Sequence, residues 1–129
     1  TPTMLRYKTY ADNGSMYNTP PCYNIYICGK VFRWLLNQGG LEVMQRRNEE
    51  KAKILYDYLD ESQLFHGTVE KRDRSLMNVT FVTGNDELNA KFVAEADAAG
   101  MRASIYNAMP KAGVEALVNF MDDFEKKNR

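Results

Sequence analysis

The chain has 129 residues, enough for one domain that buries about two thirds of the surface its unfolded form would expose. Its 17 basic and 17 acidic side chains cancel, and no basic stripe is interleaved with aromatic residues, which argues against a nucleic-acid partner. No apolar run approaches membrane-spanning length, and the start Thr1-Pro2-Thr3 has neither the basic nor the apolar region of a leader peptide. We therefore expect a cytoplasmic protein without a membrane partner.

Cysteine and histidine are too sparse to suggest a metal site. Cys22 and Cys28 fall in a predicted helix, where a spacing of six directs them to different faces and makes a mutual disulfide improbable. We expect both to be reduced and partly buried. His66 is the single histidine, and no Cys-x-x-Cys or His-x-x-x-His spacing occurs, so no metal ligands are predicted and His66 is interpreted as an ordinary surface residue.

Residues 1–21 read as a loop that leads into a helix. The run 12–15, Asp-Asn-Gly-Ser, is typical of a turn, and Pro20-Pro21 favours an extended path before the helix begins. Asn18 and Thr19 lie just ahead of that start. Their amide and hydroxyl can cap the helix, or the segment can bind an anion, because helix N-termini offer free N–H groups to phosphate. Both interpretations are open.

Two helices are predicted next. The first covers Cys22–Asn37, and its apolar residues surround most of the helix, which is typical of an element buried on more than one side at an interface. Gly39-Gly40 ends it. The second covers Leu41–Glu61, with a charged run, Gln45–Lys53, assigned to its solvent face. Its predicted inward residues are Leu41, Met44, Ile54, Leu55, Tyr58 and Leu59.

The remaining pattern alternates strands and helices. In chain order it predicts strands at Leu64–Val69 and Ser75–Val82, a helix at Glu87–Ala99, a short strand containing Arg102 and a last helix at Lys111–Lys127. This order describes an α+β fold, a small, mainly antiparallel sheet with helices packed on one face. We assign 41–129 to this small domain, and we expect 1–40 to project from it.

Arg102 is the charged residue that stands out. It lies in an otherwise uncharged segment, 101–110, in which Ala103, Ile105 and Ala108 are predicted core positions and Pro110 opens the last helix. A guanidinium held there can bind a carboxylate or phosphate through two parallel hydrogen bonds. From this segment alone, an ion pair with an acidic side chain of the same domain is the favoured explanation, because structural ion pairs commonly place an arginine in this way.

Several runs of the sequence resemble the C-terminal part of the phosphoserine aminotransferase family, and the resemblance covers nearly the whole chain. These runs are 13–21 (Asn-Gly-Ser-Met-Tyr-Asn-Thr-Pro-Pro), Trp34-Leu35 with Gly39-Gly40, Asn48 with Lys51-Ala52, 74–79 (Arg-Ser-Leu-Met-Asn-Val) and 100–110 (Gly-Met-Arg-Ala-Ser-Ile-Tyr-Asn-Ala-Met-Pro). Any one of them would be weak evidence. Their common order makes the resemblance specific.

The resemblance implies an enzyme of serine biosynthesis. Such enzymes use pyridoxal phosphate (PLP) to transfer an amino group between glutamate and 3-phosphohydroxypyruvate, giving O-phosphoserine, and they act as homodimers. Arg102 then corresponds to the arginine that binds the substrate's α-carboxylate, and Asn18 and Thr19 correspond to the segment that reaches the PLP phosphate of the neighbouring subunit. Segment 1–40 would join the large domain and the dimer interface. Arg74 and its neighbours in the run 74–79 carry over only a structural role in the sheet.

Two departures from the family limit what this chain can do. The lysine that forms the Schiff base with PLP and the acid that pairs with the pyridine nitrogen lie in a large domain that would precede Thr1, so no catalytic residue is predicted here. The family also has about a dozen residues, including a Lys-Gly-His-Arg run that contacts the substrate's phosphate, where Gly100 here meets Met101. A shortened chain, a loop outside the numbering and a natural fragment all remain open as explanations.

The alternative function belongs to a different class. The chain could be an isolated, non-catalytic α+β domain that acts only as a folding or dimerisation module through its apolar first helix. That alternative predicts no PLP binding and association that depends on concentration.

Overall fold

The computed structural model describes residues 1–96 and 100–128 of the chain. By their internal contacts the residues divide into two compact units, Thr1–Gln38 and Gly39–Arg129. None of the described helices has the length and apolar character needed to cross a bilayer.

The first unit is helical and has no buried residue. It contains a 3₁₀ turn at Thr3–Leu5, helix α1 at Tyr7–Ala11 and helix α2 at Cys22–Asn37. Local contacts shape its start, where the Tyr10 hydroxyl donates to the carbonyl of Met4 at 2.8 Å. The bounds predicted for α2 are confirmed, whereas the prediction of loop throughout 1–21 misses α1. The prediction that Cys22 and Cys28 are partly buried is wrong, because both thiols are free and exposed.

Helix α3 opens the second unit at Gly40–Glu61, one residue before the predicted start. It begins after Gly39, whose φ of 102° is left-handed. A side chain at this position would also be crowded, since a Cβ would lie 2.9 Å from a Val43 methyl carbon. Both the left-handed backbone and the lack of space for a Cβ therefore favour glycine at position 39. Leu41 was predicted to face inward and is 75% exposed, so the buried stripe of α3 starts one turn later, at Met44.

The rest of the unit forms a small sheet and two further helices. Strand β1 is His66–Gly67, β2 is Asn78–Val82, helix α4 is Asp86–Glu95, β3 is Arg102–Ser104 and α5 is Lys111–Asn128. The strands are ordered β1-β2-β3 and both pairs are antiparallel. The α+β prediction is therefore confirmed. The strands are shorter than predicted, and the predicted C-terminal end of α4, at Ala99, lies outside the described residues.

Helices cover one face of this sheet. Val79 and Phe81 of β2 and Ala103 of β3 point inward and are buried, as their alternation predicts. Phe65, just before β1, is fully buried, and its ring centroid lies 5.0 Å from that of Phe92 in α4 and 6.0 Å from that of Phe124 in α5. These contacts join the sheet, α4 and α5 into one core. The opposite face of the sheet carries mainly polar side chains, with Val82 as an exposed apolar residue at its edge.

Candidate functional site

Arg102 lies on the polar face of the sheet. It is the first residue of β3 and stands opposite Thr80 of β2. The next residue, Ala103, stands opposite Val79 and points into the core. Because successive side chains alternate between faces, Arg102 and Ser104 share the outer face. Arg102 is exposed. The register of β3 therefore presents the guanidinium away from the helices.

The guanidinium of Arg102 has no ion-pair or hydrogen-bond partner among residues 1–96 and 100–128. The three strands contain no Asp or Glu, so no acidic side chain of the sheet itself competes for it. The interpretation of Arg102 as half of an ion pair within the domain is therefore not supported by the part of the chain that the structure describes. The hydrogen-bond donors of the guanidinium are therefore unused within the described residues.

Hydroxyl and amide groups surround this position on the outer face. Asn78 Oδ1 accepts from the Tyr106 hydroxyl at 3.1 Å and faces Ser104 Oγ at 3.4 Å. On the β1 side, the Thr68 and Thr80 hydroxyl oxygens lie 2.5 Å apart. The face can therefore accommodate a charged, strongly hydrated ligand group without burying it against apolar side chains. His66, the first residue of β1, stands opposite Val82 and is exposed.

A buried lysine holds the turn that follows β3. Lys51 of α3 is only 3% exposed, and its Nζ donates to the carbonyls of Ile105, Tyr106 and Met109 at 3.1, 2.8 and 3.1 Å. These bonds use all three hydrogens of an ammonium group. Burial lowers the pKa of Lys51. The lysine is thus committed to the backbone and is unsuited to act as a free amine nucleophile.

Asn48, one turn before Lys51, makes a second contact with the same turn. Its Nδ2 donates to Asn107 Oδ1 at 2.8 Å, while its own Oδ1 is buried without a partner in the described structure. The predicted solvent face at Gln45–Lys53 is wrong for Asn48 and Lys51, because both side chains are buried. The prediction that Ala108 packs in the core is also wrong, since it is exposed. Only the family run at 48–52 marked this part of α3 in the sequence.

The start of β2 has its own structural supports. Arg74 donates through Nη1 and Nη2 to the two carboxylate oxygens of Asp60, at 3.0 and 2.5 Å, and its guanidinium lies 4.4 Å from the centre of the Tyr56 ring. Ser75 Oγ accepts from the backbone N–H of Met77 and of Asn78, both at 3.1 Å. Through these contacts, Arg74 and Ser75 stabilise the segment that leads into β2.

Asn18 and Thr19 lie in the first unit, ahead of α2, and both are exposed. The N-cap position of α2 is taken by Pro21, and no side chain caps the helix, so the capping interpretation of these residues is wrong. The backbone N–H groups of Tyr23 and Asn24 have no partner among the described residues. Uncapped N–H groups at a helix start suit a phosphate. The segment thus retains the features on which the anion-binding interpretation depends.

No metal centre is formed by the described residues. Nowhere in 1–96 and 100–128 do three side chains of the His, Cys, Asp and Glu types lie close enough together to hold an ion.

Comparisons with known proteins identify the family. The model of the class-V aminotransferases matches residues 1–117. The phosphoserine aminotransferase of Histophilus somni is 53% identical over 140 residues, which cover 99% of this chain and 39% of that protein. A match of 140 positions against a chain of 129 residues leaves at least 11 positions without a counterpart here. This number is similar to the dozen or so residues that the family resemblance implies between Gly100 and Met101.

Solved structures give the same result. The phosphoserine aminotransferase of Bacillus circulans subsp. alkalophilus matches with a TM-score of 0.91 and 42% identity, over 100% of this chain and 39% of that one. The PLP-bound phosphoserine aminotransferase of Trichomonas vaginalis matches with a TM-score of 0.83 and 34% identity, over 95% of this chain and 39% of that one. The chain thus spans about two fifths of the length of the relatives it matches. The resemblance read from its sequence is confirmed, and the chain belongs to the class-V aminotransferase family.

Proposed function

We propose that this chain is part of a phosphoserine aminotransferase, an enzyme that transfers an amino group between glutamate and 3-phosphohydroxypyruvate to give O-phosphoserine in cytoplasmic serine biosynthesis. The identity with phosphoserine aminotransferases along nearly the whole chain supports this proposal. The observation that carries it is the Arg102 guanidinium, exposed on a polar sheet face and unpaired within the described residues. Both substrates carry the carboxylate that such a group binds.

Arg102 would orient the substrate's α-carboxylate through two parallel hydrogen bonds. The planar fork of a guanidinium matches the two carboxylate oxygens, and a charge-assisted contact of this kind contributes about 1.5–3 kcal/mol. Because Arg102 is fixed in β3 opposite Thr80, the bound carboxylate would be held at a defined position relative to the sheet. The chain's own contribution to the reaction is therefore binding and orientation.

Asn18 and Thr19 would hold the phosphate of PLP bound by the other subunit of a homodimer. The residues present fit that group, because they are exposed and precede uncapped helix N–H donors, which suit a doubly charged anion. When bound, PLP supplies the electron sink for the reaction at the amino-acid α-carbon. The lysine that anchors PLP is proposed to lie outside this chain, and Lys51 cannot replace it since its ammonium is committed to three carbonyls.

The test compares Arg102→Lys with the wild type in the full-length enzyme. Lysine keeps the charge but loses the fork, so kcat/KM for glutamate and for the keto acid should fall roughly 10-fold or more. Arg72→Lys is the matched control, because the Arg72 side chain is 86% exposed and pairs only with the adjacent Asp73 in the described structure. Kinetics of Arg102→Lys that match this control would remove Arg102 from the substrate site.

A second candidate function is an isolated, non-catalytic folding or dimerisation module. It is favoured by the first unit, in which no residue is buried and Tyr23, Phe32 and Leu36 are each more than half exposed. Sedimentation of the 129-residue chain over a range of concentrations, with and without PLP, separates the two candidates. Association without PLP binding favours the module only if the full-length protein also lacks transaminase activity.

A further inference from the structure

The segment that carries Arg102 is short and needs support at both ends. Strand β3 has three residues and pairs only with β2 in the described sheet. After it, Ile105 donates its N–H to the Met77 carbonyl at 2.9 Å, and the chain then turns into α5. A three-residue strand at the edge of a sheet has few ladder hydrogen bonds of its own. The position of the guanidinium therefore depends on what holds the turn at residues 105–109.

Helix α3 holds that turn through Lys51. The three carbonyls that Lys51 contacts belong to Ile105, Tyr106 and Met109, which follow Arg102 by three, four and seven residues. The three carbonyl oxygens therefore converge on the buried ammonium group of Lys51. Asn48 adds a contact to Asn107 from the same side of α3. Helix α3 also contributes Ala52, Leu55 and Leu59 to the core, so Lys51 is carried by a helix that is itself packed against the sheet.

We propose that Lys51 is a positioning residue for Arg102: by fastening the turn after β3, it fixes the strand that presents the guanidinium to the substrate carboxylate. This inference rests on the proposed function of Arg102. Lys51 makes no contact with the Arg102 side chain in the described structure and acts through the backbone that connects them. A displacement of about 1 Å in a group that binds and orients the substrate can lower kcat/KM by up to about 100-fold.

The first experiment replaces Lys51 by methionine in the full-length enzyme. Methionine preserves much of the apolar stem and removes the three hydrogen bonds. We expect KM for glutamate and for the keto acid to rise about tenfold, with kcat changed less than about twofold and PLP retained. Lys53→Met is the matched control, because Lys53 lies two residues further along α3, its side chain is 73% exposed and it pairs with Asp57. Kinetics of Lys51→Met that equal those of this control would overturn the proposal.

A double-mutant cycle distinguishes positioning from general support of the fold. If Lys51 acts through Arg102, Lys51→Met should cause no further loss of kcat/KM in an Arg102→Ala background. An additional tenfold loss in that background would overturn the proposal. Full activity of Arg102→Ala alone is a different result, since it would refute the proposed role of Arg102 itself.

Hydrogen exchange supplies a readout that does not depend on activity. Peptides covering 101–109 should exchange faster in Lys51→Met than in Lys53→Met, while peptides from the C-terminal half of α3 remain unchanged. Asp60→Asn serves as a destabilised control, because it breaks the ion pair with Arg74 without touching the turn. An equal rise in KM in Asp60→Asn would show that the effect of Lys51 is only loss of stability, and would reject the positioning role.

Discussion

The Tyr106 hydroxyl donates to Asn78 Oδ1 at 3.1 Å. This hydrogen bond joins Tyr106, two residues after the end of β3, to the first residue of β2. This bond lies on the same outer face as Arg102. It adds a side-chain hydrogen bond to the short β2–β3 pair, which has only three paired positions. Its removal should therefore affect the local stability of β3 more than that of the core.

Tyr106→Phe tests that contact. Loss of a partly exposed hydrogen bond should cost about 0.5–1 kcal/mol, and amide exchange in peptides covering 101–106 of the full-length protein should quicken accordingly. Asn78→Ala in the Tyr106→Phe background is the control. If the two residues act through this bond, the second substitution should add less than it does in the wild type, whereas strictly additive effects would contradict the expected coupling.

Asp60→Asn tests the acid dependence of stability. The hydrogen bond from Arg74, with a further one from Lys71, holds the pKa of Asp60 below its ordinary value. A carboxyl whose pKa is lowered on folding adds stability above its unfolded pKa of about 3.9, and this stability is lost as the pH falls. Asp60→Asn should lower Tm at neutral pH, and its deficit relative to the wild type should shrink as the pH falls below about 5.

The measurement for Asp60 is thermal melting of the full-length protein between about pH 3 and pH 7. Asp57→Asn is the control, since Asp57 forms an exposed pair with Lys53 on the same helix. Such a pair contributes only about 0.3–0.5 kcal/mol, so its removal should change Tm little. A deficit in Asp60→Asn that is the same at every pH would contradict the assigned linkage.

Tyr58→Phe tests the opposite end of the pH scale. Burial, together with the hydrogen bond to Glu125 at 2.9 Å, raises the pKa of Tyr58. The folded state then holds the phenolic proton more tightly than the unfolded state, so stability falls as the pH rises through the unfolded value of about 10. Tyr58→Phe should be less stable than the wild type at neutral pH and should lose less stability above about pH 10. Parallel alkaline profiles from urea denaturation would rule out this contribution.

Phe65→Ala tests the centre of the core. Phe65 is fully buried and contacts the rings of Phe81, Phe92 and Phe124 at centroid distances of 5.0–6.0 Å. Truncation should cost about 3–5 kcal/mol, enough to unfold a small domain of marginal stability. Phe120→Ala, at a partly buried position of the same cluster, should cost less. Circular dichroism and urea titration of the full-length variants check the order, and equal losses would contradict it.

The long helices were predictable because their patterns are local. The bounds of α2 match the prediction, and α3 and α5 differ from it by one residue. Helix α1 was missed because five residues carry little periodic signal, and its ends are fixed by contacts such as Tyr10 to Met4. The strands were predicted too long, because an apolar alternation continues past the point where a partner strand is available.

Arg102 could be singled out from the sequence, but the contacts of Lys51 with the turn that follows Arg102 could not be predicted. An isolated arginine in an uncharged strand is visible without a structure, and the family resemblance is the basis of the role proposed for it. Lys51 was hidden in a charged run, and its burial depends on carbonyls 54 to 58 residues away in the chain. A helical pattern assigns a charged residue to solvent unless a distant partner is known. Such tertiary partners are what the sequence pattern alone does not contain.

The short strands of the sheet also affect the tendency of the domain to associate with other copies of itself at high concentration. Strands of two, five and three residues leave only a small length of unpaired backbone along the described sheet. One of the outer strands, β3, carries the charge of Arg102 on its exposed face. Short outer strands and charged side chains are two ways in which proteins prevent edge-to-edge polymerisation. The arginine proposed to bind a substrate would therefore also disfavour pairing of β3 with a strand of another molecule.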